Sequence, residues 1–284
     1  MTLTKALHYI SEQLSAIYEK NEADTIAELL LENITDSKKT DRILNKDKEL
    51  TAEQIEKLSQ CLSRLLTHEP IQYVLNESWF LGLKFYVDKN VLIPRPETEE
   101  LVDWVIRNIK FPFKELNILD IGTGSGCIPV SLKRKLRKAE VWACDICNEA
   151  LAVAKHNADN LQADLNFIHL DFLNEQERNK LPSFDIIVSN PPYIPQKDKE
   201  TMQQNVLAHE PHTALFVSDN NPLVFYSAIV DFSSQHLNKD GTIYCEIHEN
   251  LGKEVSEIFL QNNFTPEIKT DMQGKERMIK AIKL

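Results

Sequence analysis

Glycine is nearly missing from this chain of 284 residues: there are only 7, about a third of ordinary usage. Three of them, Gly122, Gly124 and Gly126, fall within five positions, so the conformational freedom that glycine provides is concentrated in one loop. Long apolar runs are lacking too. No stretch approaches the ~18 residues of a membrane span, and the polar Thr2, Lys5, His8 and Glu12 occupy the place of a signal peptide's apolar core. The cysteines, Cys61, Cys127, Cys144, Cys147 and Cys245, are few and odd in number. A disulfide scaffold is thereby excluded, and reduced thiols in a cytoplasmic protein are expected. Positive charge is also in deficit: Lys plus Arg total 32 against 43 for Asp plus Glu, a net charge of −11. Such a field opposes broad contact with a nucleic-acid backbone, so direct nucleic-acid binding is not expected.

What remains is a packed globular composition, 42% hydrophobic and 26% charged, with a length that suggests about two domains. From residue 1 to Pro70, apolar residues recur at helical spacing: Leu7, Ile10, Leu14 and Ile17, then Ile26, Leu29 and Leu30, then Ile55, Leu58, Leu62 and Leu65. Thr51 and Gln54 form a capping-box signature, and Asn33 to Lys48 reads as connecting polar segments. Residues 1–70 therefore predict a helical bundle. With nine basic and thirteen acidic residues interspersed it has no basic stripe, so it suits protein docking better than DNA docking. Residues 71–95 are aromatic and β-branched around Trp79 to Val87, then rich in proline, which predicts a hairpin and linker. Over residues 96–284, strand and helix patterns alternate and end in a hairpin around Gly274. An α/β domain follows, with a mostly parallel sheet, helices on both faces and an antiparallel edge.

Asp120-Ile-Gly-Thr-Gly-Ser-Gly126 ends the first strand of that sheet and opens a helix, where glycines let backbone amides approach a ligand. The Gly-x-Gly-x-Gly spacing differs from the dinucleotide fingerprint, and Asp145 closes the next strand, where a carboxylate can accept both hydroxyls of a ribose. S-adenosylmethionine fits this arrangement better than NAD. Ser189-Asn190-Pro191-Pro192-Tyr193 follows the apolar run Phe184 to Val188 and predicts a rigid loop at a strand's carboxyl end, with Asn190 in the cleft. Such a loop can make a planar nitrogen nucleophilic. Asn190 Oδ1 and the Pro191 carbonyl accept the two hydrogens of an NH₂ group and aim it at a methyl donor, while Tyr193 covers the group by stacking.

Cys144 and Cys147 lack a second pair at zinc spacing, and His209 and His212 are split by Glu210-Pro211, so neither pair predicts a metal site; the histidines read as loop residues. Lys133, Arg134, Lys135, Arg137 and Lys138 end a helix, where cations complement the dipole. Arg95 and Glu97 either line the cleft or pair with each other.

Ile93-Pro-Arg-Pro-Glu-Thr-Glu99, Asp120 to Gly126, Asn190 to Tyr193, and Glu210-Pro211 with Ala214-Leu215, taken in this order, resemble the HemK/PrmC family of glutamine N5-methyltransferases. The resemblance implies a class I S-adenosylmethionine-dependent methyltransferase fold, Rossmann-like with seven strands, behind an N-terminal substrate-docking bundle. By the same resemblance, Gly122, Thr123, Gly124, Ser125, Gly126, Asp145, Phe172 and Asn190 contact S-adenosyl-L-methionine. Asn190, Pro191, Pro192 and Tyr193 hold the substrate amide, with Asn190 and Pro191 catalytic and no metal required. The implied substrate is the glutamine of the Gly-Gly-Gln loop in class I peptide chain release factors. An adenine-N6 methyltransferase acting on DNA or RNA is the alternative, because an exocyclic amine poses the same chemical problem.

Overall fold

The computed structural model describes residues 1–109 and 115–284. The chain divides into two compact units, one comprising Met1–Glu77 with Gln203–His209 and the other Ser78–Met202 with Glu210–Leu284. The first boundary lies at Glu77 rather than at Pro70. Residues 71–75 of the expected linker form a short helix, and a piece of the expected methyltransferase region belongs to the first unit.

In the first unit, helices α1 (Leu3–Leu14), α2 (Lys20–Thr35), α3 (Lys39–Leu44), α4 (Ala52–Leu65) and α5 (Ile71–Leu75) enclose a core that includes Ile10, Leu14, Leu30, Leu31 and Leu65. Each such side chain contributes roughly 1.5–3 kcal/mol. The α4 capping box is present: Gln54 N–H donates to Thr51 Oγ1 at 3.2 Å and Thr51 N–H to Gln54 Oε1 at 3.0 Å. Helix α3 interrupts what reads in sequence as polar connection. Too short to show a period, it is held by Arg42, whose buried guanidinium pairs with Glu28.

The second unit opens with the expected hairpin, β1 (Ser78–Phe80) against β2 (Leu83–Phe85), followed by α6 (Pro96–Asn108). Strands and helices then alternate: β3 (Asn117–Ile121), α7 (Cys127–Lys135), β4 (Glu140–Asp145), α8 (Asn148–Asn160), β5 (Asn166–His169), α9 (Glu175–Arg178) and β6 (Phe184–Ser189). A small parallel pair, β7 (Ile194–Pro195) and β8 (Phe216–Val217), flanks α10 (Gln204–His209), which belongs to the first unit, and α11 (His212–Leu215). His209 ends α10 and His212 opens α11, so both sit on short helices and not in loops; Pro211 at the α11 N-cap separates them. The chain closes with α12 (Val224–His236), β9 (Leu237–Glu246), α13 (Gly252–Gln261), β10 (Phe264–Thr270) and β11 (Glu276–Lys283).

The seven-stranded sheet has the order β10-β11-β9-β6-β3-β4-β5. Its five central and far strands are parallel, and β10 and β11 form the antiparallel edge. Side chains alternate between faces with period two. Leu119, Ile121, Ile187 and Cys245 join a core with α12 and α13, while Ile118, Ile186, Val188 and Tyr244 join one with α6 and α7. Strand order reverses beside β3, since β4 and β5 lie to one side and β6 to the other. The crevice outside the carboxyl ends of β3 and β6 is where such a sheet binds ligands.

Candidate active site

Strand register decides what meets in that crevice. Ile121 of β3 aligns with Cys144 of β4 and Ser189 of β6, and Ser189 aligns with Cys245 of β9. The next residue on each chain is therefore Gly122, Asp145, Asn190 and Glu246, one row across four parallel strand ends. Neighbouring strands are ~4.8 Å apart, so Asp145 and Asn190 stand about 10 Å from each other along the row. Cross-links hold the row level. Gly122 and Thr123 amides donate to the Cys144 carbonyl at 2.9 and 3.0 Å, and Ser189 Oγ donates to the Ile121 carbonyl at 2.8 Å.

The glycine loop then turns into α7. Gly126 sits at φ +79°, and a Cβ there would lie 3.1 Å from Ala154 Cβ, so the position requires glycine on two counts. Asn157, fully buried on α8, ties this loop to the hairpin strap: its Nδ2 donates to the Ser125 carbonyl at 2.9 Å and to the Tyr86 carbonyl at 2.8 Å, and its Oδ1 accepts from Tyr86 N–H at 2.7 Å. At the other end of α7, Lys133, Arg134 and Lys135 occupy the last turn; Lys133 Nζ donates to the Ala139 carbonyl at 2.7 Å.

A cavity of about 550 Å³ opens over the row. Gly122, Gly124, Asp145, Phe172, Asn190, Pro191 and Pro192 border it; Thr123, Ser125, Gly126 and Tyr193 do not. Phe172 presents a ring packed edge-on to Phe232, with centroids 5.4 Å apart. Tyr193 is engaged elsewhere. Its hydroxyl donates to Glu246 Oε1 at 2.7 Å and its ring meets His248 edge-on. Arg95 pairs with Glu210 and not with Glu97, and Glu210 Oε2 also accepts the Ile93 amide at 3.2 Å. Two of the sequence segments singled out above, Ile93 to Glu99 and Glu210-Pro211, thus join through one carboxylate. Thr98 and Glu246, both buried near Asn190, are not legible as site residues in sequence, although Thr98 falls inside the first of those segments.

The electrostatics suit a cationic ligand bearing a ribose. Asp145 uses one oxygen to accept the Gly124 amide and the other the Cys147 amide, both at 2.9 Å, and burial raises its pKa. Each carboxylate oxygen keeps a further acceptor site. Burial pushes the Asp120 carboxyl up to about 7; the Thr123 hydroxyl opposes that rise and Asp145 adds to it. Neither Asp120 oxygen, nor Thr123 Oγ1, completes a hydrogen bond of normal geometry. Neither Asp120 nor Thr123 borders the cavity, so it is the spare acceptor sites of Asp145, which does, that offer a ligand a polar partner. The ribose hydroxyls, ammonium and sulfonium of S-adenosylmethionine have the right donors and charge, so the residues fit it. Among the described residues, no group of three or more His, Cys, Asp or Glu could hold a metal ion. No helix is long and apolar enough to cross a membrane, among those residues.

Comparison with known proteins gives the family. Residues 5–75 match the family described as PrmC N-terminal domain, and residues 102–218 match Methyltransferase small domain. A release factor glutamine methyltransferase from Flavobacterium psychrophilum is 43% identical over 273 residues, covering 95% of each chain. One from Bacteroides thetaiotaomicron is 38% identical over 274 residues, covering 96% of this chain and 97% of that one. Among solved structures, a methyltransferase from Pyrococcus furiosus superposes with a TM-score of 0.52 at 16% identity, over 78% of this chain and 96% of that one, a likeness of fold. With relatives this similar along nearly its whole length, the chain belongs to the release factor glutamine methyltransferase family.

Proposed function

We propose that this enzyme methylates the side-chain amide nitrogen, N5, of the glutamine in the Gly-Gly-Gln loop of class I release factors, and that Asn190 and Pro191 hold that amide. Release factor glutamine methylation is the activity of the family, and S-adenosylmethionine supplies the methyl group as an electrophilic carbon on a sulfonium. The chain's own residues supply orientation. An amide nitrogen has its lone pair delocalised, so it reacts only when both hydrogens are occupied and the lone pair is aimed along the line of attack.

One observation carries this reading. Asn190 Nδ2 donates to Thr98 Oγ1 at 3.0 Å, and no described residue donates to Asn190 Oδ1 or to the Pro191 carbonyl. Two acceptors are thus left at the cavity wall, matched to the two hydrogens of a primary amide. Pro191 and Pro192 have no N–H to compete, and their fixed φ keeps the loop rigid. Asp145 takes the ribose hydroxyls, and the Gly122 to Gly126 turn lets the backbone lie against the cofactor. Thr123, Ser125 and Gly126 shape that turn from behind, and Phe172 flanks the adenine side. The proton shed by the nitrogen passes to water, because Asn190 Oδ1 and the Pro191 carbonyl hydrogen-bond it but, as amide oxygens, are too weakly basic to keep it. Near-attack positioning accounts for most of the acceleration, with each hydrogen bond that tightens in the transition state adding roughly 1–3 kcal/mol. Free thiols and the substrate's place in translation favour a cytoplasmic enzyme.

The adenine-N6 reading is not favoured. The relatives above are named for glutamine, and a net charge of −11 opposes a polyanionic substrate. A transfer assay with labelled S-adenosylmethionine, offering unmodified release factor, its Gln→Ala loop variant, duplex DNA and ribosomal RNA in parallel, tests the assignment. Label should appear on the release factor and vanish with the glutamine. Label on nucleic acid alone would transfer the function to adenine.

A further inference from the structure

Behind Asn190 lies a chain of buried hydrogen bonds that ends on a carboxylate. Asn190 Nδ2 donates to Thr98 Oγ1 at 3.0 Å, Thr98 Oγ1 donates to Glu246 Oε2 at 2.7 Å, and the Tyr193 hydroxyl donates to Glu246 Oε1 at 2.7 Å. The Glu246 backbone carbonyl accepts the Tyr226 hydroxyl at 3.0 Å. Thr98 is 3% exposed and Glu246 2%, so water does not compete with these bonds. The residues come from the first turn of α6, the loop after β6 and the end of β9, and Thr98 and Glu246 are 148 positions apart in the chain.

The chain has a direction, and elementary donor counting sets it. A carboxylate only accepts, and a hydroxyl has one proton. Thr98 gives its proton to Glu246 and so presents a lone pair to Asn190. Asn190 must then offer Nδ2, which leaves Oδ1 as its other end. A carboxamide has two nearly isosteric ends, and a flipped Asn190 would bring NH₂ against the NH₂ of an incoming glutamine. We propose that Thr98, Glu246 and Tyr193 act as a positioning relay that fixes Asn190 with Oδ1 toward the substrate amide. The relay rests on the reading of Asn190 as the amide acceptor given above. Burial raises the Glu246 carboxyl; hydrogen bonds from Tyr193 and Thr98 and the charge of Arg277 oppose that rise, and Glu97 adds to it. Both Glu246 oxygens accept a hydroxyl in this geometry, Oε2 from Thr98 and Oε1 from Tyr193, each at 2.7 Å, and that arrangement is what the relay uses.

The substitutions follow from the donor count. Thr98→Val keeps shape and removes the hydroxyl, Thr98→Ser keeps the hydroxyl, and Glu246→Gln keeps volume while placing an NH₂ donor against Thr98. The last change reverses the chain, so that Thr98 donates to Asn190 Oδ1 and the amide end turns over. In the full-length enzyme with release factor as substrate, Thr98→Val and Glu246→Gln should each lower kcat by about 10- to 100-fold. The S-adenosylmethionine Kd and the release factor KM should stay within about twofold, and Thr98→Ser should recover kcat to within about threefold. The cofactor Kd, measured by calorimetry, also reports folding for each variant, and the isosteric Glu246→Gln tests the relay should Thr98→Val fail to bind. A Thr98→Val or Glu246→Gln enzyme that binds cofactor and keeps kcat within twofold, beside an inactive Asn190→Ala, would overturn the relay and leave the Asn190 reading standing. An active Asn190→Ala would remove the reading itself.

Discussion

The amide of Gly124 donates to Asp145 Oδ2 at 2.9 Å, across 21 positions of chain, so the carboxylate assigned to the ribose also braces the glycine loop. One side chain at the end of β4 thereby serves both halves of the proposed cofactor site.

That double duty makes Asp145→Ala a severe change for binding. Loss of two charge-assisted hydrogen bonds to the ribose, each roughly 1.5–3 kcal/mol, should raise the S-adenosylmethionine Kd at least ~100-fold in a calorimetric titration. Asp145→Asn should fall between parent and Ala, because its amide oxygen still accepts one N–H. An unchanged Kd for Asp145→Ala would place the ribose elsewhere.

Asn190→Ala should behave oppositely. It borders the cavity without bracing the glycine loop, so cofactor binding should stay within a few-fold while turnover falls at least ~1000-fold, as expected when orientation supplies most of the catalysis. Single-turnover kinetics with saturating cofactor separates the two effects. A variant with near-parental turnover would end the amide-orienting role.

Asp120 gives stability a pH dependence of definite sign. Its folded pKa of about 7 lies above the ordinary 3.8, so the folded state binds the proton more tightly than the unfolded one. The associated stability is complete below the unfolded value and is lost as pH rises through about 7. Asp120→Asn removes this dependence. In urea titrations of the cofactor-free enzyme at pH 5 and pH 8, the variant should gain on the parent as pH rises, by at most about 1.4 kcal/mol per pH unit within that window. Parallel pH dependences in the two proteins would disprove a buried titrating Asp120.

Gly126→Ala should cost about 1–3 kcal/mol of unfolding free energy, part from left-handed backbone and part from the close approach of α8. Adding Ala154→Gly should recover only some of the steric part, because Ala154 Cα also lies 3.2 Å from the added Cβ. Strict additivity in the double-mutant cycle would mean the two positions do not touch.

How much of this arrangement is legible in the sequence depends on distance along the chain. The glycine loop, Asp145 and the Asn190 loop each announce themselves within a few residues, because strand end, turn chemistry and functional group are contiguous. The bundle, the hairpin and the mostly parallel sheet with its antiparallel edge follow from periodicity in the same way, while the count of seven strands comes from the family resemblance. Thr98 and Glu246 do not, since their meaning arises only when α6 and β9 are brought together; each alone reads as an ordinary helix-start threonine and a strand-end glutamate. The partner of the Tyr193 hydroxyl is hidden for a related reason. Stacking is the obvious use of an aromatic after Pro-Pro, and the buried acceptor that its hydroxyl meets lies on β9, 53 positions away. Helix α3 is hidden because six residues are too few to show a period, and its anchor Arg42 looks in sequence like any surface cation.

Because Gln203–His209 belongs to the first unit while the residues on both sides of it belong to the second, the chain passes from one unit to the other three times. Neither unit is a contiguous piece of the gene. A fragment ending at Glu77 lacks a segment of its own fold, and a fragment beginning at Ser78 carries that segment without the helices that receive it. Swapping first units between relatives therefore means exchanging two separate stretches of sequence together.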